Sequence, residues 1–464
     1  MQSNGMRTVN FTPPWDDSPI DISFIKIEFQ KKYFEEIRDH LRSIGVKIPV
    51  AGTNWNSAGS SQLRANLTMD FTDSHTYWND WSWSVNHKAF RNASFLGSPE
   101  TWLDTFPFFR TADRPFFVSE WDDPWPNQYR AEGPLHMASC CAFQGWGGAA
   151  IHTYRYDNRP HIDMIAAPTT GEALADVPYR SGIYDSFNDP CRFSLFYHAA
   201  LMVRRKDIHT PEELTVVPVE ELMISEAEKF SKEASQCLAL KATDGAVSGG
   251  MKNGVDAPSF VYSFPALFGA PEFAPTATYL AGMKLPPNAK KVDPYKYQVA
   301  RTAEKFTSIT GELSRDLRKK VAFIDSPRTK GAYGFLGAYG EVNLKGVKIR
   351  CRNEYAVIIM SSLTDDPIAT SDNILLTVIG NCDNMGASYN GTHTLQFSRG
   401  HGPIEAEVIE AEIEIENATG IFRVDSIGDN GMQIGSALPV TENGKISFKT
   451  GGEYPSIHYL IQKI

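Results

Sequence analysis

The chain has 464 residues, of which 42% are hydrophobic and 22% are charged, a composition typical of a globular protein with two or three domains. Its formal net charge of -10 argues against a nucleic-acid partner, which would need a clustered basic surface. No apolar run reaches the roughly 20 residues of a membrane span, and residues 1–24 lack an export signal, so we expect no membrane partner and, as written, a cytoplasmic chain.

The first predicted element is an amphipathic helix over residues 24–44. Phe34, Ile37, Leu41 and Ile44 recur at three- and four-residue spacing among charged residues, which indicates one apolar stripe on a helix. Gly45 is placed to end this helix because glycine readily adopts the left-handed backbone found after a helix.

Short apolar runs and amphipathic stretches then alternate as far as about residue 205. The predicted strands are residues 46–54, 67–72, 115–119 and 148–153, and the predicted helices are residues 102–111, 128–143 and 190–204. Strands that alternate with helices predict a parallel sheet with helical cover, either doubly wound or closed into a barrel.

Beyond residue 205, helical periodicity fades and short β-rich runs are separated by Gly, Asn, Asp and Pro. In residues 405–416, apolar residues alternate with glutamates, as in a strand with one solvated face. Further strands at residues 356–360, 374–379 and 457–461 favour an antiparallel sandwich. Residues 243–310 are rich in Pro, Gly and Ala and are typical of a linker or a loop-rich subdomain.

Six cysteines are scattered without a CxxC pair: Cys140, Cys141, Cys191, Cys237, Cys351 and Cys382. This spacing indicates neither a zinc site nor a disulfide framework, so we expect buried or idle thiols. We also expect no metal and no cofactor.

The stretch RPFFVSEWDDPWPNQY, residues 114–129, contains the strongest candidate for chemistry. An apolar strand is followed by Glu120, with Trp121 and Trp125 beside it, and the carboxyl ends of parallel barrel strands form the active face of such folds. The pattern leaves two interpretations open. Glu120 is either a catalytic carboxylate or a structural one that caps the following helix or pairs with a neighbour.

Polar and aromatic side chains follow the other predicted strands as well. They are Asn54 and Trp55, then His75, Tyr77 and Trp78, and finally Trp146, His152 and Tyr154. Aromatic rings stack on the C–H faces of sugars, but they also fill ordinary cores, and a loop histidine is often only a hydrogen-bond donor. Each residue alone is weak evidence, while their coincidence at successive strand ends predicts a sugar-binding site.

In chain order, the segments GTNW, DSHTYW, PFFVSEWDDPWPNQYRAE and AFQGWGGAAIHTY resemble the second half of the barrel in clan A glycoside hydrolases, which include cellulase-like, β-galactosidase-like and agarase-like members. The segments DPCRFSLFYHAALMVRR and SSLTDDPIATSDNILLT resemble members with a β-rich C-terminal region. The resemblance implies an α/β fold: a partial (β/α)8 TIM barrel, strands five to eight, in residues 1–205. A loop-rich linker at 206–310 and an antiparallel β-sandwich-like domain at 311–464 would follow.

The same resemblance implies roles for individual residues. Glu120 corresponds to the nucleophile after the seventh strand, and His75 and Tyr77 match residues that contact the nucleophile or the sugar. Trp146 and Tyr154 are candidates for an aromatic platform beside the eighth strand.

The expected general acid/base is a Glu preceded by Asn at the end of the fourth strand. Residues 1–23 contain no Glu, and the sole Asn-Glu pair, Asn353–Glu354, falls in the β-rich region. We therefore expect the acid/base half of the barrel to be absent, together with any export signal that preceded it.

The predicted function is a retaining glycoside hydrolase that acts on a β-linked oligo- or polysaccharide and is incomplete on its own. A complementing N-terminal half-barrel chain or a homodimer would be its partner, unless the chain is a fragment. The alternatives are a non-catalytic glycan-binding remnant and, more distantly, a structural β-rich module.

Overall fold

The fold is taken from a computed structural model, which describes residues 19–54, 59–78, 89–98, 101–154, 184–219, 271–292, 304–417, 420–437, 439–442 and 444–464. The described helices are α1 (Pro19–Ser43), α2 (Gly59–Asn66), α3 (Phe106–Phe109), α4 (Glu132–Gln144), α5 (Pro190–Phe193), α6 (Phe196–Arg204) and α7 (Leu336–Tyr339). None of the helices within these ranges is long and apolar enough to cross a membrane.

The first six described strands are β1 (Thr72–Tyr77), β2 (Phe116–Asp122), β3 (Ala149–Ile151), β4 (Leu214–Pro218), β5 (Thr276–Tyr279) and β6 (Ala289–Lys291). The remaining ones are β7 (Lys305–Thr307), β8 (Leu313–Asp316), β9 (Val321–Asp325), β10 (Thr329–Gly334), β11 (Glu341–Leu344), β12 (Val347–Cys351), β13 (Ala356–Ser362), β14 (Asn373–Ile379), β15 (Cys382–Met385), β16 (Ser388–Tyr389), β17 (Gln396–Ser398), β18 (His401–Ala406), β19 (Ala411–Glu416), β20 (Phe422–Ile427), β21 (Gln433–Ala437), β22 (Val440–Glu442), β23 (Lys445–Lys449) and β24 (His458–Lys463).

The predicted helix at residues 24–44 is observed as α1, and Gly45 follows it with a φ of 91°. Phe34 is buried against α2, as one member of the predicted apolar stripe. Ile37 and Ile44, in contrast, are 38% and 63% exposed. Periodicity therefore predicts the helix correctly, but most of the stripe does not join a core among the described residues.

The partial (β/α)8 barrel predicted for residues 1–205 is wrong. The described residues form mostly antiparallel sheets with few helices, and the parallel sheet described in the predicted barrel region has three strands, β1, β2 and β3. The predicted strand at residues 46–54 makes a single bridge, from Ala51 to Phe71. The predicted half-barrel requires four parallel strands under helical cover, whereas here the helices beside a three-stranded sheet pack against antiparallel strands.

Several predicted elements are shifted or divided. Residues 67–70 form the turn after α2, so that the strand predicted at 67–72 begins only at its last residue. The helix predicted at 102–111 is reduced to the single turn α3, and the one at 190–204 is divided into α5 and α6. The strand predicted at 405–416 is interrupted, with β18 ending before the gap and β19 following it. Local sequence propensity therefore predicted that these segments form helices or strands, but not where each element begins and ends.

A nine-stranded antiparallel sheet, in the order β21–β20–β24–β14–β13–β10–β9–β8–β7, is the largest element of the described fold. Central strand β13 is buried along its whole length because both faces of this sheet are covered. Ile358 and Met360 pack with residues of β12, β19 and β23 from the five-stranded sheet β11–β12–β19–β23–β22. Val357 and Ile359 pack in a second core that includes α4. The β-rich C-terminal part predicted from the sequence is thus present, with two sheets around one core.

The predicted linker at residues 206–310 contains a small parallel sheet in the order β5–β4–β6. Residues 220–270 and 293–303 lie outside the described residues. The division into three domains stays a prediction.

His198 of α6 joins the helical side of the molecule to the large sheet. Its Nδ1 lies 2.8 Å from Ser361 Oγ of β13, and its Nε2 lies 2.7 Å from Thr377 Oγ1 of β14. Burial, with a smaller contribution from His458, lowers the pKa of His198 to about 3. The imidazole is therefore neutral near pH 7, so that one ring nitrogen donates and the other accepts.

Candidate functional site around Glu120

Glu120 lies at a bulge in β2. In the parallel pairing of β1 with β2, Ser74 is opposite Val118 and His75 is opposite Glu120, so Ser119 has no residue opposite it. Such an extra residue changes which side of the sheet the following side chains face. Because directly paired residues share a face, the bulge places Glu120 beside His75.

The burial pattern of β2 agrees with this change of face. Phe116 and Val118 are buried in the core, and continued two-residue alternation would send Glu120 into that same core. After the bulge it is Trp121 that is buried, with 5% of its surface exposed, and Glu120 emerges on the open face. The spacing of apolar residues at 116, 118 and 121 is the sequence signal of this bulge.

Three side chains surround the Glu120 carboxylate. The Tyr77 hydroxyl donates a hydrogen bond to Oε1. The Nδ1 of His75 lies 4.0 Å from Oε1, and the Nδ1 of His152 lies 4.0 Å from Oε2. The Glu120 side chain is 32% exposed, compared with 20% for His75 and 28% for His152. The carboxylate is thus held on one oxygen and remains open to a molecule from solvent.

Tyr184 completes an aromatic wall beside this carboxylate. Its ring centroid lies 5.5 Å from that of Tyr77 and 5.1 Å from that of His152. The Thr153 amide donates to the Tyr184 carbonyl at 3.1 Å, which fixes the wall to the end of β3. Sequence reasoning missed Tyr184, because a contact made by chain pairing outside regular elements leaves no periodic signal.

His152 is the member of the site whose protonation is perturbed. Burial lowers the pKa of His152, although the negative charge of Glu120 acts in the opposite direction. The imidazole is therefore mostly neutral at pH 7, when it can donate one hydrogen bond and accept another.

A second polar group lies beneath the bulge. The Asp73 carboxylate accepts a 2.9 Å hydrogen bond from the Ser119 amide, and the Asn54 amide group donates to Ser119 Oγ at 3.0 Å. Burial raises the pKa of Asp73, more than its hydrogen bonds to Ser119 lower it. Asn54, a predicted sugar-binding residue, therefore also supports the bulge, and Asp73 was missed by the sequence reasoning.

The predicted tryptophan contacts do not gather at Glu120 in the described structure. Trp121 packs against Trp102, and Trp146 packs against two phenylalanines, so both rings belong to the core. Trp78 donates its indole N–H to the Ala93 carbonyl at 2.8 Å. Trp55 lies outside the described residues.

Tyr154 lies apart from the ring of side chains around Glu120. It is 58% exposed, and the centroid of its ring lies 6.0 Å from those of Phe187 and Phe193. An exposed ring of this kind is still available to stack on a sugar.

A buried ionic network holds together the chain segments that form the open face. The Arg192 guanidinium binds the Asp122 carboxylate at the end of β2, and its Nε donates to Asp189 at 2.8 Å. Its other amino group donates to the carbonyls of Tyr184, at 3.3 Å, and Asp185, at 2.5 Å. One cation therefore connects the strand that carries Glu120 with the segment that carries the aromatic wall.

Two groups of potential metal ligands lie elsewhere in the described part of the chain. One consists of His136, Cys140 and Glu272, and the other of Asp189, Cys191 and Cys382, with the ligand atoms of each group within 4.8 Å of one another. Neither group includes Glu120. The expectation that the site around Glu120 uses no metal and no cofactor stays a prediction.

The chain matches no protein-family model, no curated protein and no solved structure. Its resemblance to clan A glycoside hydrolases therefore stays a prediction, based on the four N-terminal segments and the two segments that follow them. The arguments for function come from the residues around Glu120.

Proposed function

We propose that Glu120 is the nucleophile of a retaining glycoside hydrolase that acts on a β-linked oligo- or polysaccharide. The observation that carries the proposal is a partly exposed carboxylate with the Tyr77 hydroxyl on one oxygen and an imidazole on either side. In retaining enzymes such a carboxylate attacks the anomeric carbon and forms a covalent glycosyl ester, which water then hydrolyses.

The neighbours of Glu120 support distinct parts of this reaction. Because Tyr77 donates to Oε1, the carboxylate is held in one orientation and Oε2 remains for the anomeric carbon. Neutral His152, whose Nδ1 lies 4.0 Å from Oε2, can bind a sugar hydroxyl without adding a charge. The rings of Tyr77 and Tyr184 offer apolar surface beside the carboxylate, of the kind that sugars contact.

The reaction also needs a proton donor for the leaving oxygen, about 5 to 5.5 Å from the nucleophile. Among the described residues, the Glu120 carboxylate forms its hydrogen bond and ion pairs with Tyr77, His75 and His152, and none of these is a carboxylic acid. The proposal assigns the donor to a group other than these partners, either in this chain or in a second chain, which would be a complementing partner or another copy.

Activated aryl β-glycosides test the nucleophile without that donor, because their leaving groups need little protonation. We expect slow aryl release by the full chain, faster turnover with added azide, and a glycosyl azide of retained configuration. In Glu120→Ala, azide must replace the carboxylate itself, so the glycosyl azide should have inverted configuration. The matched control is Glu354→Ala, an exposed glutamate of the β-rich region, which should behave as the unmodified chain.

The stereochemistry decides between outcomes. Inverted product from the Glu120→Ala chain alone identifies Glu120 as the nucleophile. Equal aryl release by the unmodified and Glu120→Ala chains, with the same configuration of product, would contradict the proposal.

A second candidate is a glycan-binding protein without catalysis. It is favoured by the exposed ring of Tyr154 and by the paired rings of Tyr77 and Tyr184, which offer surface for a sugar without any reaction. This alternative predicts oligosaccharide binding that survives Glu120→Gln, measured by calorimetry, and no release of aryl groups with or without azide.

A further inference from the structure

Two buried thiol groups face each other where α5 meets β15. The Sγ atoms of Cys191 and Cys382 are 2.8 Å apart, although the residues are 191 positions apart in the sequence. The residues are 0% and 2% exposed. This distance is shorter than the ordinary contact between two non-bonded sulfur atoms, and a disulfide bond is about 2.03–2.05 Å long.

The surrounding hydrogen bonds fix both cysteines in this arrangement. One oxygen of Asp189 accepts the Cys191 amide at 3.2 Å and the Cys382 thiol at 3.5 Å. Arg130 donates to the Cys382 carbonyl at 2.7 Å and to its sulfur at 3.2 Å. The Cys191 thiol donates to the Gly380 carbonyl at 3.3 Å. The two sulfur atoms are therefore opposed by the fold and are not meeting through a mobile side chain on a surface.

The hydrogen bonds at this position argue against a metal ion, even though Asp189, Cys191 and Cys382 could supply three ligands. Asp189 already accepts hydrogen bonds from the guanidinium groups of Arg130 and Arg192, both buried. Both oxygens of Asp189 are thus already occupied, and a metal ion bound there would displace these donors. Oxidation of the two neutral thiols to a disulfide removes two protons and two electrons, leaves the local charge unchanged and disturbs neither arginine.

We propose that Cys191 and Cys382 form a disulfide bond that links the helical segment behind the Glu120 site to the β-rich part of the chain. With oxidised glutathione as the oxidant, the thiolate of one cysteine attacks the glutathione disulfide and releases one reduced glutathione. The second cysteine, as its thiolate, then displaces the other glutathione. The protein loses two electrons and two protons, and two reduced glutathione molecules are formed.

Burial determines when this bond forms. The pair is closed to solvent, and burial raises the pKa of the Cys382 thiol, so the reactive thiolate is disfavoured in the folded chain. The exchange therefore proceeds while the two segments dock during folding under oxidising conditions, and the finished fold then protects the bond from reductants.

Peptide mapping tests the pairing directly. The full chain is unfolded under reducing conditions, refolded in a mixture of oxidised and reduced glutathione, alkylated in denaturant and cleaved with trypsin without reduction. Cys191 then lies in the fragment 181–192 and Cys382 in the fragment 353–399, and each fragment contains one cysteine. We expect these two fragments joined, lighter than their sum by two hydrogen atoms, and four of the six cysteines alkylated.

Variants and stability provide the controls. The joined fragments should disappear in Cys191→Ser and in Cys382→Ser but persist in Cys351→Ser, a buried cysteine of the β-rich part. Because the bond closes a loop across 191 positions, the oxidised chain should have a Tm higher by at least about 5 °C than the reduced chain.

Three results would overturn the proposal. The first is alkylation of both thiols in the refolded, oxidised chain. The second is a bond from either cysteine to a different cysteine. The third is an equimolar zinc ion, detected by elemental analysis of the chain refolded with zinc, that protects both thiols from alkylation.

Discussion

Replacement of Arg192 by Met tests the buried network that supports the proposed site. The guanidinium is 0% exposed and binds the equally buried Asp122 carboxylate, Asp189, and two main-chain carbonyls. Methionine occupies much of the space of the arginine stem but makes none of these hydrogen bonds. The Asp122 carboxylate would then lose the cation that compensates its buried charge.

Removal of one partner from a buried ion pair costs about 3–5 kcal/mol of unfolding free energy, because the other charge is left in a poorly solvated position. At roughly 2–4 °C for each kcal/mol in domains of ordinary size, we expect the Tm of Arg192→Met to fall by about 6–20 °C. The assay is urea unfolding followed by tryptophan fluorescence, with a thermal melt in parallel.

Two further variants separate charge from packing. The double variant Asp122→Asn, Arg192→Met removes both charges, so it should be less destabilised than the sum of the two single variants, by about 2 kcal/mol. The control Arg350→Met removes a guanidinium that is 65% exposed in a surface ion pair, and it should leave the urea midpoint and the Tm almost unchanged. A loss below about 1 kcal/mol in Arg192→Met, or strict additivity in the double variant, would refute the reasoning.

Three other perturbations have expected outcomes. His198 has a pKa of about 3 in the folded chain, so below pH ~6.5 the unfolded chain binds a proton that the folded chain does not. Between pH 6.5 and 4, the unmodified chain should therefore lose about 1.4 kcal/mol more unfolding free energy per pH unit than His198→Gln, measured by urea titrations. Equal pH dependence of the unfolding free energy in the two chains would contradict this. Tyr77→Phe removes the hydrogen bond to Glu120 and should lower kcat on aryl glycosides about 10-fold or more, while the Tm changes by no more than a few degrees. An unchanged kcat would exclude a role of Tyr77 in positioning the Glu120 carboxylate. Gly331→Ala places a methyl group against the Ile358 carbonyl in the neighbouring strand. The unfolding free energy should fall by about 1–3 kcal/mol, and the Tm should fall with it. An unchanged Tm would show that the two strands can move apart to accept the methyl group.

Local pattern was sufficient for the elements whose partners lie close in the sequence. The three- and four-residue spacing from Phe34 to Ile44 predicts a helix, and α1 is present because helix hydrogen bonds are made within the segment. Alternation predicts β19, whose burial alternates along its length. The continuous apolar runs that become β13 and β14 were predicted as strands as well.

The same pattern could not determine which strands pair. The sequence of strands and helices before residue 205 is compatible with a barrel, a doubly wound sheet or a short sheet packed on another domain. The third arrangement is observed, because the helices pack against the nine-stranded antiparallel sheet. Most strands of that sheet come from residues more than a hundred positions away. Burial against a distant surface is not encoded in a local window, which is why the predicted barrel was wrong.

The candidate site divides in the same way. The composition of RPFFVSEWDD was enough to single out Glu120, because an isolated carboxylate after an apolar strand is visible in the sequence alone. His75, Tyr77 and His152 were predicted from their positions after neighbouring strands, and the structure brings them together around that carboxylate. The position of Tyr184 and the contact between Cys191 and Cys382 were decided only by tertiary structure, since chain segments far apart in sequence meet through packing and hydrogen bonds that no local periodicity records.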